Sequence, residues 1–206
     1  MPTYHEIVTQ KTNITIADIT SVCVSQLQSA PSDIRNFPYM HTGRGVDIYD
    51  EDLQCNCYVA AYGKMHEKKL DIAFRNLPIV AFASEINVVD WGCGQGLGTI
   101  GLLDFIRNKY PNCRVKEVIL IEPSTIAINR AEVNVKTWGR NIEIKKINKK
   151  FEDVTDDEIR FSSAYDTIDI FSNILDVEYV DLRAITQLLS VNSNVAHHIT
   201  CVSPYY

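Results

Sequence analysis

Beyond residue 79 the chain alternates short, densely apolar runs with longer stretches in which apolar residues recur every third or fourth position. Asn87-Val88-Val89-Asp90 predicts a short buried strand, and the glycine-rich turn after it leads into a helix from Gly98 or Thr99 to Tyr110, stopped by Pro111. Val118 to Ile121 predicts the second strand, and Ser124 is placed to cap a helix running to about Val135. Ile142 to Ile147 alternates as a third strand, Thr167 to Phe171 is the fourth, and Val195 to Val202 the fifth. A helix from about Val177 to Leu189 separates the last two. Strand and helix repeat in steps of roughly 25 to 30 residues, the mark of an α/β fold built on a doubly wound, mostly parallel sheet.

The first 78 residues have a different texture. Ile14 to Leu27 predicts a helix entered through Asp18, and 29 to 50 reads as loops broken by Pro31, Pro38, Gly43 and Gly45. Glu51 to about Leu77 predicts a long helix with Pro78 as its stop. Its expected apolar face comprises Leu53, Cys57, Ala60, Ala61, Met65, Ile72, Ala73 and Leu77. The expected organisation is thus a mainly helical N-terminal extension, 1–78, packed on an α/β core, 79–206.

Composition narrows the classes. At 206 residues, 46% hydrophobic and 22% charged, the chain can bury a sizeable core. No apolar run is long enough to span a bilayer, and Met1 to Glu6 lacks the character of a signal peptide, so no membrane partner and a cytoplasmic location are the expectations. A net charge of -6 argues against a broad grip on nucleic acid. Lys145, Lys146, Lys149 and Lys150 form one basic cluster, read as a solvated strand end. The six cysteines do not form a C-x-x-C pair and the five histidines show no ligand spacing. We therefore expect no metal, and cysteines that act as small buried hydrophobes.

In a parallel doubly wound sheet, ligands bind beyond the C-terminal strand ends. That rule selects Asp90 to Gly98, Glu122 to Ser124, Asn148, Ser172 to Asp176 and Ser203 to Tyr205. The first set reads Asp90-Trp91-Gly92-Cys93-Gly94-Gln95-Gly96, with glycines where a backbone turns sharply and approaches a ligand, ahead of a helix N-terminus. A nicotinamide-binding G-x-G-x-x-G does not fit, since the sixth position is Leu97 counted from Gly92 and Thr99 counted from Gly94. The P-loop and G-x-S-x-G patterns are absent. Trp91 reads as core, Cys93 has no neighbouring histidine to activate it, and Tyr62, Gly63 and His66 read first as part of an amphipathic helix, with a helix that lids a bound ligand as the alternative.

The acidic residue followed by G-x-G-x-G resembles the first motif of the class I, Rossmann-like S-adenosylmethionine-dependent methyltransferases, matched by Asp90, Gly92, Gly94 and Gly96. Glu122, 26 residues after Gly96 and followed by Pro123, is similar to the family's second motif, an acid that binds the ribose hydroxyls. The resemblance implies S-adenosylmethionine as cofactor. It would be held by Asp90, Gly92, Cys93, Gly94, Gly96, Glu122, Pro123, Asn148, Ser172 and Asn173. Asn148, with Asp153 as its rival, stands where the family contacts adenine. Asn173 is the candidate catalytic residue, at the place of the family's active-site floor. There, members that methylate amino groups of bases or glutamine carry Asn or Asp followed by Pro-Pro-Tyr. Here Ile174 and Leu175 replace the prolines, and Pro204-Tyr205 comes too late to substitute.

The implied activity is methyl transfer, with an acceptor the sequence does not name. The alternative is a non-catalytic module that keeps the cofactor-binding fold for regulation or interaction. The family's sheet continues past its fifth strand into a helix and an antiparallel hairpin, which this sequence lacks, so truncation is expected first, with a naturally shortened domain or completion by a partner subunit as the alternatives.

Overall fold

The computed structural model describes residues 2–43, 47–82, 84–139, 141–175, 182–192 and 194–203. Its centre is a five-stranded sheet of β1 (Glu85–Trp91), β2 (Arg114–Ile121), β3 (Glu143–Ile147), β4 (Thr167–Ser172) and β5 (His197–Val202). The order is β3-β2-β1-β4-β5 and every pairing is parallel. Two strands, β2 and β3, are laid down on one side of β1 before the chain returns to its other side with β4. The point of reversal lies between β1 and β4, and this is the doubly wound architecture the alternation predicts.

Seven helices accompany the sheet among the described residues: α1 (Tyr4–Val8), α2 (Ile16–Gln26), α3 (Ser32–Asn36), α4 (Asp52–Arg75), α5 (Leu97–Lys109), α6 (Thr125–Trp138) and α7 (Leu182–Leu189). Residues 177–181 of the helix expected before β5 lie outside the described residues, as do Gly45, Asp176, Pro204 and Tyr205. Thr15 starts α2, with its Oγ1 accepting from Asp18 N–H at 3.1 Å while Asp18 accepts from Thr15 N–H at 3.0 Å. Asp18 is thus the third residue of a capping box rather than the cap itself. Between 29 and 50 the chain is more helical than its breakers suggest, forming α3 and a 3-10 turn over Pro38–His41. Pro31 precedes α3 and Pro38 begins the 3-10 turn; both prolines start a turn whose first N–H groups need no partner.

The buried face of α4 differs from the expected one. Met65 is 40% exposed and Ile72 61%, whereas Cys55, Val59, Gly63, His66, Leu70 and Phe74 are buried. Their spacing of four, four, three, four and four is a clean helical stripe, disguised in the sequence because it contains a glycine and a histidine. Gly63 is required there: a Cβ would stand 2.4 Å from Thr20 Oγ1 on α2, so its absence lets the two helices approach.

One hydrophobic cluster joins Tyr4, Ile16, Ile19, Val59, Leu70 and Phe74 of the N-terminal segment to Ile100, Leu103, Val88, Leu120 and Ile170 of the core. The opposite sheet face carries Val89, Trp91, Ile119, Ile121 and Phe171 against Ile185 and Leu188 of α7. Trp91 is therefore core, stacked on Phe171 with ring centroids 5.6 Å apart. Its Nε1 donates to fully buried Asp169 at 2.9 Å, and His197 Nδ1 meets the other carboxylate oxygen at 2.6 Å. Five of the six cysteines are buried, Cys201 being exposed. In the basic cluster, Lys146 pairs with Glu132 at 2.6 Å and Lys149 with Glu158 at 2.7 Å. Among the described residues no helix is long and apolar enough to cross a membrane.

A polar network ties the helical segment to the core. Arg130 of α6 is 5% exposed and donates through Nε and Nη2 to Asp52 at 3.0 and 2.6 Å, and through Nη1 to Asn56 and Gln95 at 2.9 and 3.0 Å. Its guanidinium lies 4.0 Å above the Tyr4 ring, and Tyr4 Oη donates to Asn134 at 2.8 Å. Removing the guanidinium strands the buried amide oxygens of Asn56 and Gln95, so Arg130→Ala is expected to lose about 2–4 kcal/mol in urea unfolding. Asp52 is 72% exposed, and Asp52→Ala should lose only about 0–1 kcal/mol. Equal losses for the two variants would contradict this assignment.

Candidate functional site

Because all five strands run the same way, their C-terminal ends gather along one edge of the sheet, and the residues selected from the sequence meet there. Asp90 is the penultimate residue of β1 and the glycine loop follows that strand, Glu122 and Pro123 follow β2, Asn148 follows β3, Ser172 ends β4 and Asn173 comes next. The ends of β1 and β4 are adjacent, with Trp91 registered on Phe171.

The loop folds back tightly. Cys93 N–H donates to Ile121 O at 2.9 Å and Gly96 N–H to Cys93 O at 2.7 Å. Gly96 precedes α5 with φ 79°, and a Cβ there would lie 3.1 Å from the Ala131 backbone, so glycine permits both the left-handed turn and the contact with α6. Gly94 has φ 51° and open space where its Cβ would project. That is a bare backbone face fit for a ligand. Beside it, Gly92 is covered: Ile174 Cδ1 and Cγ1 would stand 2.9 Å from a Cβ there.

Two carboxylates support this loop. Asp90 is wholly buried, and one oxygen accepts from Thr99 N–H at 2.9 Å and Thr99 Oγ1 at 2.7 Å. The other, Oδ1, has no donor among the described residues. Burial outweighs the Thr99 bonds and pushes the Asp90 carboxyl up to about 6. Glu122 spans two backbone amides, accepting from Gly94 N–H at 3.1 Å and Ser124 N–H at 2.9 Å. Burial raises its pKa as well, opposed by those two bonds. Each Glu122 oxygen takes one protein hydrogen, leaving capacity for a pair of hydroxyl donors.

Asn148 serves the turn itself. Its Nδ2 donates to Glu122 O and Pro123 O at 2.8 and 2.9 Å, and its Oδ1 accepts from Thr125 Oγ1 at 2.7 Å. Asp153 is exposed in the 3-10 turn Phe151–Asp153. Cys93 is buried, which raises its thiol well above the ordinary range and leaves it inert as a nucleophile. Among the described residues no three His, Cys, Asp or Glu side chains group to hold a metal.

Sequence reasoning offered His66 only as part of a helix that can lid the cofactor; it did not connect His66 to Asn173 and did not single out Tyr58. Asn173 Nδ2 lies 2.8 Å from His66 Nδ1, and His66 Nε2 lies 3.0 Å from Tyr58 Oη. Tyr49, Tyr58 and Tyr62 continue as a ladder of rings, with centroids 5.9 and 5.3 Å apart. Ser124 Oγ joins the ladder to the second motif, donating to Tyr49 O at 2.6 Å. A lone histidine in the buried stripe of α4 was the available signal, but only the fold brings it to Asn173.

No family model matches the sequence, and no curated protein matches it. Among solved structures the chain is similar to a SAM-dependent methyltransferase from Leishmania major, at 11% identity and a TM-score of 0.45, over 86% of this chain and 65% of that one. It is also similar to geranyl diphosphate C-methyltransferase from Streptomyces coelicolor A3(2), at 12% and 0.42, over 83% and 59%. A third is SCL7 of Oryza sativa, at 14% and 0.44, over 92% and 54%. The chain spans less than two thirds of the length of each of these structures.

The buried Asp90 makes a prediction about pH. Its carboxyl titrates near 6 when folded and about 3.9 when unfolded, so the folded state binds the proton more tightly. Its contribution to stability therefore falls as pH rises between those values, by about 3 kcal/mol. Asparagine retains an acceptor for Thr99 and does not ionise. The stability of Asp90→Asn relative to the parent should rise from pH 4 to pH 6 and level off above. Parallel stability curves would refute the shift.

Proposed function

We propose that the chain binds S-adenosylmethionine over the glycine loop and transfers its methyl group to an acceptor in the crevice between the ends of β1 and β4. The observation that carries this reading is the pairing of Gly94 with Glu122. A carboxylate fixes the loop amide from below while the glycine's outer face stays open. The bare backbone gives room for a ligand's close approach, and the spare lone pairs of Glu122 suit two neighbouring ribose hydroxyls. The unpartnered Oδ1 of Asp90, wholly buried behind the loop, adds an acceptor that the described protein leaves unused.

When bound, the cofactor supplies an electrophilic methyl carbon on a positively charged sulfur. The protein's part is to bind and orient. Glu122 fixes the sugar, the Gly92–Gly96 backbone supports the amino-acid end, and Ser172 and Asn173 line the floor of the crevice. Methyl displacement needs little acid–base help when the nucleophile is already basic, so placement of the acceptor provides most of the acceleration.

A second reading is a non-catalytic module that retains cofactor binding. It is favoured by Ile174, which lies against Gly92 where base-methylating members of the family carry a proline. Turnover on a panel of amine, hydroxyl and thiol acceptors separates the two readings.

Calorimetric titration tests the cofactor itself. S-adenosylmethionine and S-adenosylhomocysteine should bind and NAD should not. Gly94→Val, which forces a β-branched residue to positive φ and fills the open face, should weaken binding at least about tenfold, a loss of about 1.4 kcal/mol. Binding of NAD alone would overturn the proposal.

A further inference from the structure

Asn173 is held at the end of β4 by more than its neighbours in sequence. Its backbone is left-handed, with φ 57°, and its N–H donates to Val202 O on β5 at 2.6 Å. Its side-chain amide is clamped from the other layer of the molecule. An amide nitrogen can only donate, so Nδ2 fixes His66 Nδ1 as an acceptor. The hydrogen of a neutral imidazole then resides on Nε2, where it is donated to Tyr58 Oη.

The ring is suited to stay neutral. Burial, aided by the charge of Lys69 on the same helix, pulls its pKa down to about 4. Lys69 is itself anchored across the site, with Nζ donating to Ser203 O after β5 at 3.2 Å. From the facing loop, Asn173 brings no charge.

This clamp has a cost. With Nδ2 directed to His66, Asn173 Oδ1 is shut off from solvent and has no donor among the described residues. A buried carbonyl left in that state is destabilising by about 1–3 kcal/mol. The opposite amide orientation, with the other imidazole tautomer, would pair the oxygen with His66 and put the amide nitrogen in the oxygen's buried place. The side chain is instead turned so that its acceptor is unused, one residue from the Ile174 side chain that covers Gly92.

We infer that His66, backed by Tyr58, is a positioning residue that locks the Asn173 amide with its oxygen reserved for a hydrogen on the ligand. Resting on the reading of the site as a methyl-transfer crevice, the inference narrows the acceptor class. The acceptor carries an N–H or O–H on or beside the atom that is methylated, and a donor-free thioether or tertiary amine is disfavoured. The lock also places the N-terminal helical layer in the site.

The test is the histidine tautomer and the Asn173 side-chain amide, observed by NMR in the isotope-labelled full chain at neutral pH. His66 should show a protonated Nε2 and a bare Nδ1, and one Asn173 amide proton should exchange slowly with water. His66→Phe should abolish that slow exchange, and His66→Gln, whose amide oxygen can accept from the same Nδ2, should restore it. A protonated Nδ1 on His66, or an Asn173 amide indifferent to His66→Phe, would overturn the inference. If the Phe variant fails to fold, the tautomer in the unsubstituted chain still decides. Titration with S-adenosylmethionine runs beside it and separates the failures: binding with the wrong tautomer sinks only the lock, and the right tautomer without binding leaves the lock but sinks the cofactor reading and the acceptor class drawn from it.

Discussion

A guanidinium placed out of water must find acceptors for its hydrogens, and Arg130 finds them in three different parts of the chain. Asp52 and Asn56 stand at the start of α4, Gln95 lies inside the glycine loop, and the Tyr4 ring covers one face of the cation. Tyr4 and Gln95 are then linked a second time through Asn134, which accepts from the phenol and donates to the Gln95 carbonyl at 2.9 Å. Gln95 also donates to Cys55 O at 2.9 Å. Apart from exposed Asp52, the polar members cannot shift without leaving another polar group buried and unpaired. The network fixes the height of α4 over the sheet, and through it the position of every α4 side chain that reaches the strand ends.

The sheet supplies the complementary constraint. Parallel pairing on both sides of β1 brings Asp90 level with Leu120 and Ile170, so the loops after β1, β2 and β4 leave the sheet together. Backbone hydrogen bonds then fasten each loop to its neighbour: Cys93 to Ile121, Glu122 to Ile147, Asn173 to Val202. The site is thus assembled by ladder bonds continued one residue past the strands, with little dependence on the long loops that often carry function.

Most of this architecture could be read from the residues. The strands declare themselves by apolar runs flanked by turns, Ser124 by its place ahead of a helix, and Asp90, Gly94 and Glu122 by their spacing. The α4 stripe could not be read, because apolar residues occur nearly all round that helix and its buried line includes Gly63 and His66. Those two are inside for reasons of contact with Thr20 and Asn173, which no local pattern encodes. Asn148 is legible by its position after β3, but not by its bonds: its amide holds the Glu122-Pro123 carbonyls. Short-range spacing identifies residues that gather at a strand end; what each is bonded to there is decided by partners distant in sequence.

Gln95 gives the arrangement a thermodynamic consequence. As a member of both the glycine loop and the Arg130 network, it makes the docking of the first two helical turns of α4 and the shape of the loop a single equilibrium. Any ligand that favoured this loop conformation would favour the docked helix too, and the coupling free energy would act equally in both directions. The N-terminal layer is therefore not a cover laid over finished strand ends: its attachment helps set the shape of the loop.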